Sequence, residues 1–317
     1  MTLRIGTRAS ALALAQSGQV GRALAGQDVE LVHVRTHGDA DRSTPLAQLG
    51  GTGVFVTAVR GALLDGDVDV IVHSCKDLPT TPVDGITIAA IPAREDPRDA
   101  LCARGGRTLA ELPDGARVGT GSPRRASQLR RARPDLQVVG IRGNVGTRLA
   151  RALGENADLD AVVLAAAGLQ RLGRDEVISE LLPTDVLVPA PAQGALAVEC
   201  RTADAEGSDL AGALAAVDDL ATRTAVTAER ALLRALEAGC SAPVGAYGRR
   251  EGDQVVLDAV AISYDGTRAV EGRTQVALPE PADAAVAAAQ ALGEALAKDM
   301  LGRGAGQIIT AAAQELG

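Results

Sequence analysis

The sequence predicts an α/β fold that ends in a smaller α+β domain. Strand-like segments rich in β-branched residues alternate with helical segments from residue 3 to about residue 170, which is typical of parallel, doubly wound sheets. From about Asp219 onward, three strand-like runs separated by glycine-containing turns predict an antiparallel meander, which an alanine-rich helix can cover. The 317 residues, of which 46% are hydrophobic, are enough for two or three domains.

The first α/β segment is predicted to place polar residues at the ends of its strands. Strands are expected at residues 3–6, 29–35, 68–72 and 86–91, and helices at residues 11–24 and 55–64. Ser10 is the expected N-cap of the first helix, and Arg8 lies at the same strand-to-helix junction. Residues 37–53 are polar, glycine-rich and too long for an ordinary connection, so we interpret them as a mobile lid.

The stretch from Ile71 to Thr80 places charged side chains where a buried strand ends. Because Pro79 prevents simple continuation of the strand, Lys76 and Asp77 are expected on a strand-end loop. Ligands of open α/β sheets bind at such loops, and Lys76 is one of only two lysines among the 32 basic residues. Taken alone, these residues are equally compatible with a surface ion pair.

Residues 94–99 are charged and lack periodicity, and we interpret them as a crossing into a second α/β domain. Strands are then expected at residues 117–119, 138–141 and 161–164, with helices at residues 122–133 and 144–153. Residues 186–200 are expected to carry the chain back into the first domain.

Arginines occupy the start of a helix in the second domain. Ser122 is a suitable N-cap and Pro123 a suitable first helical residue, so that Arg124 and Arg125 fall in the first turn. A cation there opposes the helix dipole at a cost of roughly 0.3–1 kcal/mol, unless an anion binds the exposed N–H groups. We therefore expect leucine in place of both arginines to impair ligand binding without unfolding the protein.

The same arrangement recurs at two other junctions. Arg142 and Arg148 lie on either side of the expected cap Asn144, and Arg8 precedes Ser10. A doubly wound sheet gathers such junctions at one edge, so we interpret them as a site for a polyanion with carboxylate or phosphate groups. Neither GxxxxGK[ST] nor GxGxxG is present to favour a nucleotide.

Composition excludes several classes of protein. The net charge of -8 and the 1% aromatic content argue against a nucleic-acid-binding protein. No run of about 18 apolar residues is present, and the first residues do not resemble a signal peptide, so we expect a cytoplasmic protein without a membrane partner. The cysteines form no CxxC pair and no zinc spacing, so we expect neither a disulfide framework nor a metal site.

Cys240 is the cysteine best placed for chemistry. It lies in a Gly-Cys-Ser-Ala-Pro turn after a helix, whereas Cys75, Cys102 and Cys200 lie in or beside apolar runs and are expected in the core. An incidental turn cysteine is the alternative interpretation. No histidine has a Ser or Cys partner at a recognisable spacing, and we expect His73 to be a packed strand-end residue.

The residues singled out above belong to ten longer motifs, which span residues 4–243. These are RIGTRASALALAQ from Arg4, THGD from Thr36, GGTGVFV from Gly50, HSCKDLP from His73, REDPRDA from Arg94, GTGSPRR from Gly119, RGNVGTRL from Arg142, AAGLQRLG from Ala166, PAQGALAVECR from Pro191 and the turn from Ala238 to Pro243. Taken together and in this order, the motifs resemble those of the porphobilinogen deaminases, also called hydroxymethylbilane synthases.

This resemblance implies two periplasmic-binding-protein-like domains around a cleft, followed by a C-terminal α+β domain with a three-stranded antiparallel sheet. The implied boundaries are residues 1–94 with 192–215, residues 98–188, and residues 219–317. It also implies a cytoplasmic, monomeric transferase of tetrapyrrole and heme biosynthesis. Such an enzyme joins four porphobilinogen molecules head to tail onto a covalent dipyrromethane cofactor with loss of ammonia, and water then releases hydroxymethylbilane.

The resemblance further implies a role for individual residues. Asp77 would be the catalytic carboxylate with Lys76 beside it, and Cys240 would carry the dipyrromethane in thioether linkage. The other implied cofactor-binding residues are Arg8, Ser10, Lys76, Asp77, Ser122, Arg124, Arg125 and Arg148. The implied substrate-binding residues are Arg8, Phe55, Arg142, Arg148 and Arg171.

The sequence departs from the family pattern at two places. Gly121-Ser122 stands where many members have Ser-Ser, which removes one hydroxyl donor, and Ala238-Gly239 stands where Gly-Gly is common. One alternative function is a non-catalytic two-domain sensor that binds a carboxylate ligand, although such a protein has no evident use for Cys240. Another is a different ammonia-eliminating or acyl-transfer enzyme that uses Cys240 as a transient nucleophile, although no histidine partner for it is identifiable.

Overall fold

The computed structural model describes residues 2–24, 26, 28–34, 53–239 and 242–316. The chain forms two compact units, one comprising Met1–Arg94 with Ala195–Arg223 and the other Glu95–Gly194 with Thr224–Gly317. The chain passes from one unit to the other at residues 94–95, 194–195 and 223–224. The expected third domain shares a unit with the second, so the division into three domains stays a prediction.

The observed elements follow the predicted alternation closely. The strands are β1 (Thr2–Thr7), β2 (Asp28–His33), β3 (Val70–Ser74), β4 (Ile86–Ala90), β5 (Asp99–Ala103), β6 (Arg117–Thr120), β7 (Gln137–Gly140), β8 (Ala161–Ala165), β9 (Glu180–Leu181), β10 (Leu196–Arg201), β11 (Val244–Glu251), β12 (Gln254–Ile262) and β13 (Ala269–Ala277). The helices are α1 (Ala11–Ala23), α2 (Gly53–Leu64), α3 (Pro123–Ala132), α4 (Val145–Leu153), α5 (Ala166–Arg171), α6 (Asp209–Val217), α7 (Leu220–Ala235), α8 (Ala282–Gly302) and α9 (Ala305–Leu316). Helices α6 and α9 were not predicted as separate elements.

The first unit is built on a five-stranded sheet in the order β2-β1-β3-β10-β4. Strands β2, β1 and β3 are parallel, whereas β10 runs antiparallel to both of its neighbours. Alternate residues of β3 bury against opposite faces, since Val70 and Val72 join one hydrophobic cluster and Ile71 joins another. Apolar packing on both faces explains why the strand sequences read as continuous hydrophobic runs.

The second unit contains a sheet of the same kind in the order β7-β6-β8-β5-β9. Strands β6, β7 and β8 are parallel, and β5 is antiparallel to β8 and β9. Ala100 and Cys102 face one cluster while Leu101 and Ala103 face the other, so this sheet is also covered on both faces. The predicted α/β fold is confirmed; β5 and β10 are the antiparallel strands of these two sheets, and each enters its sheet directly after the chain passes from one unit to the other.

The three-stranded meander is confirmed, with β12 between β11 and β13 and antiparallel pairing throughout. Its buried face packs with α7, α8 and α9 in a cluster that includes Leu232, Leu257 and Leu296. Gly252 and Gly266, at φ +63° and +80°, form the two turns predicted from the sequence. Among the described residues, no helix combines the length and the apolar character needed to cross a membrane.

Candidate active site

The first unit gathers four predicted site residues at one edge of its sheet. Strands β1 and β3 are parallel neighbours with Ile5 opposite Val70, so their carboxyl ends lie at the same edge. Arg8 and Ser10 follow β1, and Lys76 and Asp77 follow β3 within a 3-10 turn over Cys75–Asp77. The predicted strand-end placement of these residues is confirmed.

Buried residues on both sides of Lys76 and Asp77 hold this turn in place. Cys75 is fully buried, and its N–H donates to the carbonyl of Ala195 at 3.0 Å. Leu78 is also buried, and its N–H donates to the Cys75 carbonyl at 3.2 Å. The result is an exposed Asp77 carboxylate beside a half-buried Lys76, on a backbone fixed by the core.

The first helix begins at the same edge. Ser10 is its N-cap as predicted, since its hydroxyl accepts a hydrogen bond from the Ala13 N–H at 3.3 Å. The Gln16 side chain, one turn further, donates to the Ser74 hydroxyl at the end of β3 with an Nε2–Oγ distance of 2.6 Å. This hydrogen bond joins α1 to the strand that carries Lys76 and Asp77.

His73 belongs to a buried ion cluster and not to the exposed edge. Its Nε2 lies 3.2 Å from a carboxylate oxygen of Glu199 on β10, and Arg60 Nε donates to the same oxygen at 3.0 Å. Burial alone would raise the pKa of Glu199, but its interactions with His73 and Arg60 lower it to about 2. The interpretation of His73 as a packed strand-end residue is confirmed.

The second unit gathers the remaining described site residues at the corresponding edge of its own sheet. The carboxyl ends of β6, β7 and β8 coincide there because the three strands are parallel. The predicted residues that follow these ends are Ser122, Arg124 and Arg125 after β6, Arg142 and Arg148 after β7, and Arg171 after β8. Ser122 caps α3 and accepts from the Arg125 N–H at 3.5 Å.

Arg124 and Arg125 share a buried carboxylate that the sequence analysis did not identify. Asp99 is fully buried, and its two oxygens accept from Arg124 Nη1 and Arg125 Nε, each at 2.8 Å. Gln193 Nε2 donates to the same carboxylate at 2.8 Å. The cations at the start of α3 are therefore partly compensated by an anion of the protein itself, and we call these two arginines and Asp99 the buried triad.

The position of Asp99 follows from the direction of β5. It is the first residue of this antiparallel strand and lies opposite Ala165, the last residue of β8, so it reaches the edge where the parallel strands end. Burial strongly favours its neutral form, yet the charges of Arg124 and then Arg125 outweigh burial and hold the pKa of Asp99 well below its ordinary value. Asp99 is thus a carboxylate in the folded protein.

The buried triad leaves positive charge and one free donor. Two guanidinium groups face one carboxylate, so the net charge is positive. Arg124 Nε is buried and has no hydrogen-bond partner among the described residues. Burial also lowers the pKa of Arg125, although Asp99 opposes that shift. A carboxylate ligand near this edge would meet an uncompensated positive field.

The loop after β7 presents its two arginines differently. Asn144 caps α4 by accepting from the Thr147 N–H at 2.9 Å, as predicted. Arg148 folds back and donates to the Gly143 carbonyl at 2.7 Å, whereas Arg142 is exposed. Gly143 has a φ of +104°, so this tight turn requires glycine. Arg142 is therefore the cation at this edge that is most accessible to a ligand.

Arg171 is the last residue of α5, and its side chain contacts Gly194, where the chain passes back to the first unit. Its Nη2 donates to the Gly194 carbonyl at 2.7 Å. Burial lowers the pKa of the Arg171 guanidinium, with the nearby charge of Glu95 opposing the shift. Arg171 is thus held in a partly dehydrated position near the start of the return crossing.

The departure at Gly121 has a steric explanation in this chain. A Cβ atom built at this residue would lie 2.6 Å from the Ile141 carbonyl oxygen, well inside van der Waals contact. Serine at this position would require the backbone of β7 and its following loop to move. Glycine at residue 121 therefore lacks the serine hydroxyl but allows the segments after β6 and β7 to approach each other closely.

Several predicted features fall outside the described residues. These are the anchor Cys240, the proposed lid at residues 37–53 except for Gly53, and the side chain of Phe55, whose backbone lies in the first turn of α2. The cysteines expected in the core, Cys75, Cys102 and Cys200, are buried, and none of the three forms a disulfide bond among the described residues. Burial raises the pKa of Cys102 to about 12 and also raises that of Cys200.

Comparison with known proteins places these features in a family. A model described as "Porphobilinogen deaminase, dipyromethane cofactor binding domain" matches residues 3–209, and "Porphobilinogen deaminase, C-terminal domain" matches residues 223–302. A porphobilinogen deaminase of Cutibacterium acnes is 52% identical over 322 residues and covers 96% of both chains. One from Thermobifida fusca is 54% identical over 314 residues, covering 98% of this chain and 96% of the relative.

Solved structures give a weaker likeness. A putative lipoprotein from Ruminococcus gnavus aligns with a TM-score of 0.40 and 10% identity over 68% of this chain and 90% of its own, a level that carries no functional information. The sequence matches are decisive, since the first model alone covers more than half of the 317 residues. The chain therefore belongs to the porphobilinogen deaminase family.

Proposed function

We propose that the protein condenses four porphobilinogen molecules, one at a time, onto a covalently bound dipyrromethane and then releases hydroxymethylbilane by hydrolysis. The observation that carries this proposal is the exposed Asp77 carboxylate, which buried neighbours fix at a strand end within the family match. The sensor alternative has no comparable observation in its favour.

The described residues fit a dipyrromethane that bears acetate and propionate groups. The edge of the second unit offers the exposed Arg142, the half-buried Arg148 and the unsatisfied Nε of Arg124. Guanidinium N–H groups suit carboxylates, because the planar fork can donate two parallel hydrogen bonds. When bound through Cys240, the dipyrromethane supplies the pyrrole carbon to which the first substrate is joined.

Asp77 performs the acid–base and electrostatic work in this proposal. Loss of ammonia from the aminomethyl group of porphobilinogen needs a proton on the leaving nitrogen and leaves positive charge on the substrate's pyrrole. The Asp77 carboxyl delivers that proton from an Oδ atom, and the resulting carboxylate then stabilises the cation. When the new carbon–carbon bond forms, the accepting pyrrole carbon loses its hydrogen as a proton, and the Asp77 carboxylate takes up this proton and becomes the acid for the next addition. Lys76, held beside it by the same turn, contributes a cation for the substrate's carboxylates.

The arginines bind carboxylates and keep the growing chain in place. Each added pyrrole brings two carboxylate groups, so the negative charge of the bound chain increases with every addition until the product is released. Arg8 in the first unit and Arg142, Arg148 and Arg171 in the second are the proposed substrate contacts, while Arg124 and Arg125 supply the positive field of the buried triad. We further propose that the enzyme is monomeric and cytoplasmic.

The test is an assay of purified protein with porphobilinogen, measuring ammonia release and tetrapyrrole formation. The protein should release one ammonia per porphobilinogen consumed, and Asp77→Asn should retain less than about a tenth of that rate. Because Asp77 is exposed, the variant should melt at the same temperature as the parent protein.

Asp84→Asn is the matched control, since it changes another exposed aspartate of the same unit and should keep full activity. Absence of turnover by the parent protein would refute the proposed function. Turnover by Asp77→Asn at the parent rate would refute only the role of Asp77.

A further inference from the structure

The segment Val188–Gly194, which we call the strap, lies along the first strand of the three-stranded sheet. The Ala246 N–H of β11 donates to the Pro189 carbonyl at 2.9 Å. A Cβ atom at Gly245 would lie only 2.8 Å from the Val188 carbonyl oxygen, so the two backbones are in close contact there. The strap is thus fixed to the sheet by backbone contacts.

The strap also supplies hydrogen-bond acceptors to three arginines of the candidate site. The Val188 carbonyl accepts from Arg124 Nη1 at 2.6 Å, and the Gly194 carbonyl accepts from Arg171 Nη2 at 2.7 Å. Between them, the Gln193 side chain accepts from Arg125 Nη2 at 3.3 Å. A displacement of the strap would therefore remove one hydrogen bond from each of these three guanidinium groups.

Glu229 fastens the middle of the strap to the sheet. This residue of α7 is fully buried, and its carboxylate accepts from the Gly248 N–H of β11 at 2.6 Å and also from the Ala192 N–H of the strap. Ala192 has a φ of +63°, which is in the left-handed region that residues other than glycine rarely adopt. The bond to Glu229 holds Ala192 in that conformation, directly before Gln193.

We propose that Glu229 is a positioning residue for the site: through Ala192 it fixes the strap, and through the strap it sets the guanidinium groups of Arg125 and Arg171. The proposal rests on the proposed function for what those arginines bind. Helix α7, which carries Glu229, is followed after four residues by Cys240, so the same helix also precedes the proposed anchor. Glu229 need not touch any ligand to have this effect.

The first test replaces Glu229 with methionine, which has a similar volume and no carboxylate. Loss of a hydrogen bond to a charged group should make exchange of the Ala192 amide about tenfold faster or more, measured by hydrogen–deuterium exchange of a strap peptide. If Arg125 and Arg171 lose their position, the KM for porphobilinogen should rise about fivefold or more, with kcat changed less than about twofold.

A second substitution at Ala192 distinguishes a positioning role of Glu229 from a general loss of stability in the unit. Glycine adopts a positive φ without strain, so Ala192→Gly in the Glu229→Met background should return KM to within about twofold of the parent value. Leu296→Ala is the matched control, because it weakens the hydrophobic cluster beneath the same sheet, which includes no residue of the strap, and it should leave KM unchanged. If the methionine variant does not fold, Glu229→Gln takes its place in the same comparisons.

The proposal requires faster exchange at Ala192 and a raised KM to occur together, with rescue by glycine. A change in only one of the two, no change in either, or an equal rise in KM for Leu296→Ala would overturn it. If the parent protein shows no turnover, the proposed function fails, while the exchange measurement still tests whether Glu229 holds Ala192.

Discussion

Replacing Asp99 with asparagine should destabilise the second unit more than any single surface change. Asp99 is fully buried and accepts hydrogen bonds at 2.8 Å from Arg124, Arg125 and Gln193. Asparagine keeps the shape and one oxygen but removes the charge that compensates two buried guanidinium groups. Removing one partner of a buried ion pair costs about 3–5 kcal/mol, a large part of the 5–15 kcal/mol that typically holds a domain together.

The chain itself provides a probe for this measurement. It has no Trp and 2 Tyr, and both tyrosines, Tyr247 and Tyr264, lie in the second unit with the buried triad. Tyrosine fluorescence during urea unfolding therefore follows that unit. With a denaturant slope near 3 kcal/mol per M, the expected loss lowers the unfolding midpoint by about 1–2 M urea.

Asp135→Asn is the control for this prediction. Asp135 accepts hydrogen bonds from Arg133 at the surface of the same unit, at 2.7 and 2.8 Å, so its replacement removes an ion pair that water already screens. Its midpoint should stay at the parent value. If Asp99→Asn shifted the midpoint no more than Asp135→Asn, the triad would not be a stabilising charge cluster.

Three other perturbations give independent checks. Arg142→Gln should raise the KM for porphobilinogen about tenfold in a steady-state assay and leave the melting temperature unchanged. Arg107→Gln, which changes another exposed arginine of the same unit, should leave both the KM and the melting temperature unchanged. Because the pKa of Glu199 is lowered to about 2 from an ordinary 4.5, its contribution to the free energy of unfolding is complete above pH 4.5 and is lost as the pH falls towards 2. Urea unfolding followed by circular dichroism at a series of pH values should show this decline. In Glu199→Gln the free energy of unfolding should depend less on pH over the same range. The buried thiol of Cys102, whose pKa burial raises to about 12, should react with a thiol reagent only after denaturation, and labelling of this residue in the native protein would contradict its position.

The features that the sequence predicted correctly depend on nearby residues. Ser10, Ser122 and Asn144 each cap a helix through a bond to a backbone N–H three residues ahead, and such caps follow from residue type and position alone. The strand-end location of Lys76 and Asp77 follows in the same way from a β-branched run and a proline. Local chemistry was sufficient for these residues.

The features that the sequence did not reveal depend on residues distant in the chain. Asp99 meets Arg124 and Arg125 only because β5 enters its sheet antiparallel to β8, and no local pattern indicated that direction. The helix-start arginines were interpreted as evidence for a ligand, yet the structure gives them a partner within the protein. Leucine in place of both would leave Asp99 buried without a counter-charge, so we now expect that variant to be destabilised as well.

The connection between Glu229 and Ala192 was beyond sequence reasoning for the same reason. The left-handed conformation of Ala192 has no signal in the residue type, since glycine is the usual indicator of positive φ. In the sequence, Glu229 also resembles any polar residue on the exposed face of a helix, although it is fully buried in the structure. Only the packing of the strap against β11 brings the two residues together.

The most direct test of the proposed function is the intact mass of the purified protein beside that of Cys240→Ser. The account predicts that the parent protein carries the added mass of two linked pyrrole units and that the serine variant does not. Incubation with porphobilinogen should then add further pyrrole units to the parent protein only. If the parent mass equalled that of the bare chain both before and after this incubation, covalent attachment at Cys240 and the deaminase function would both be contradicted.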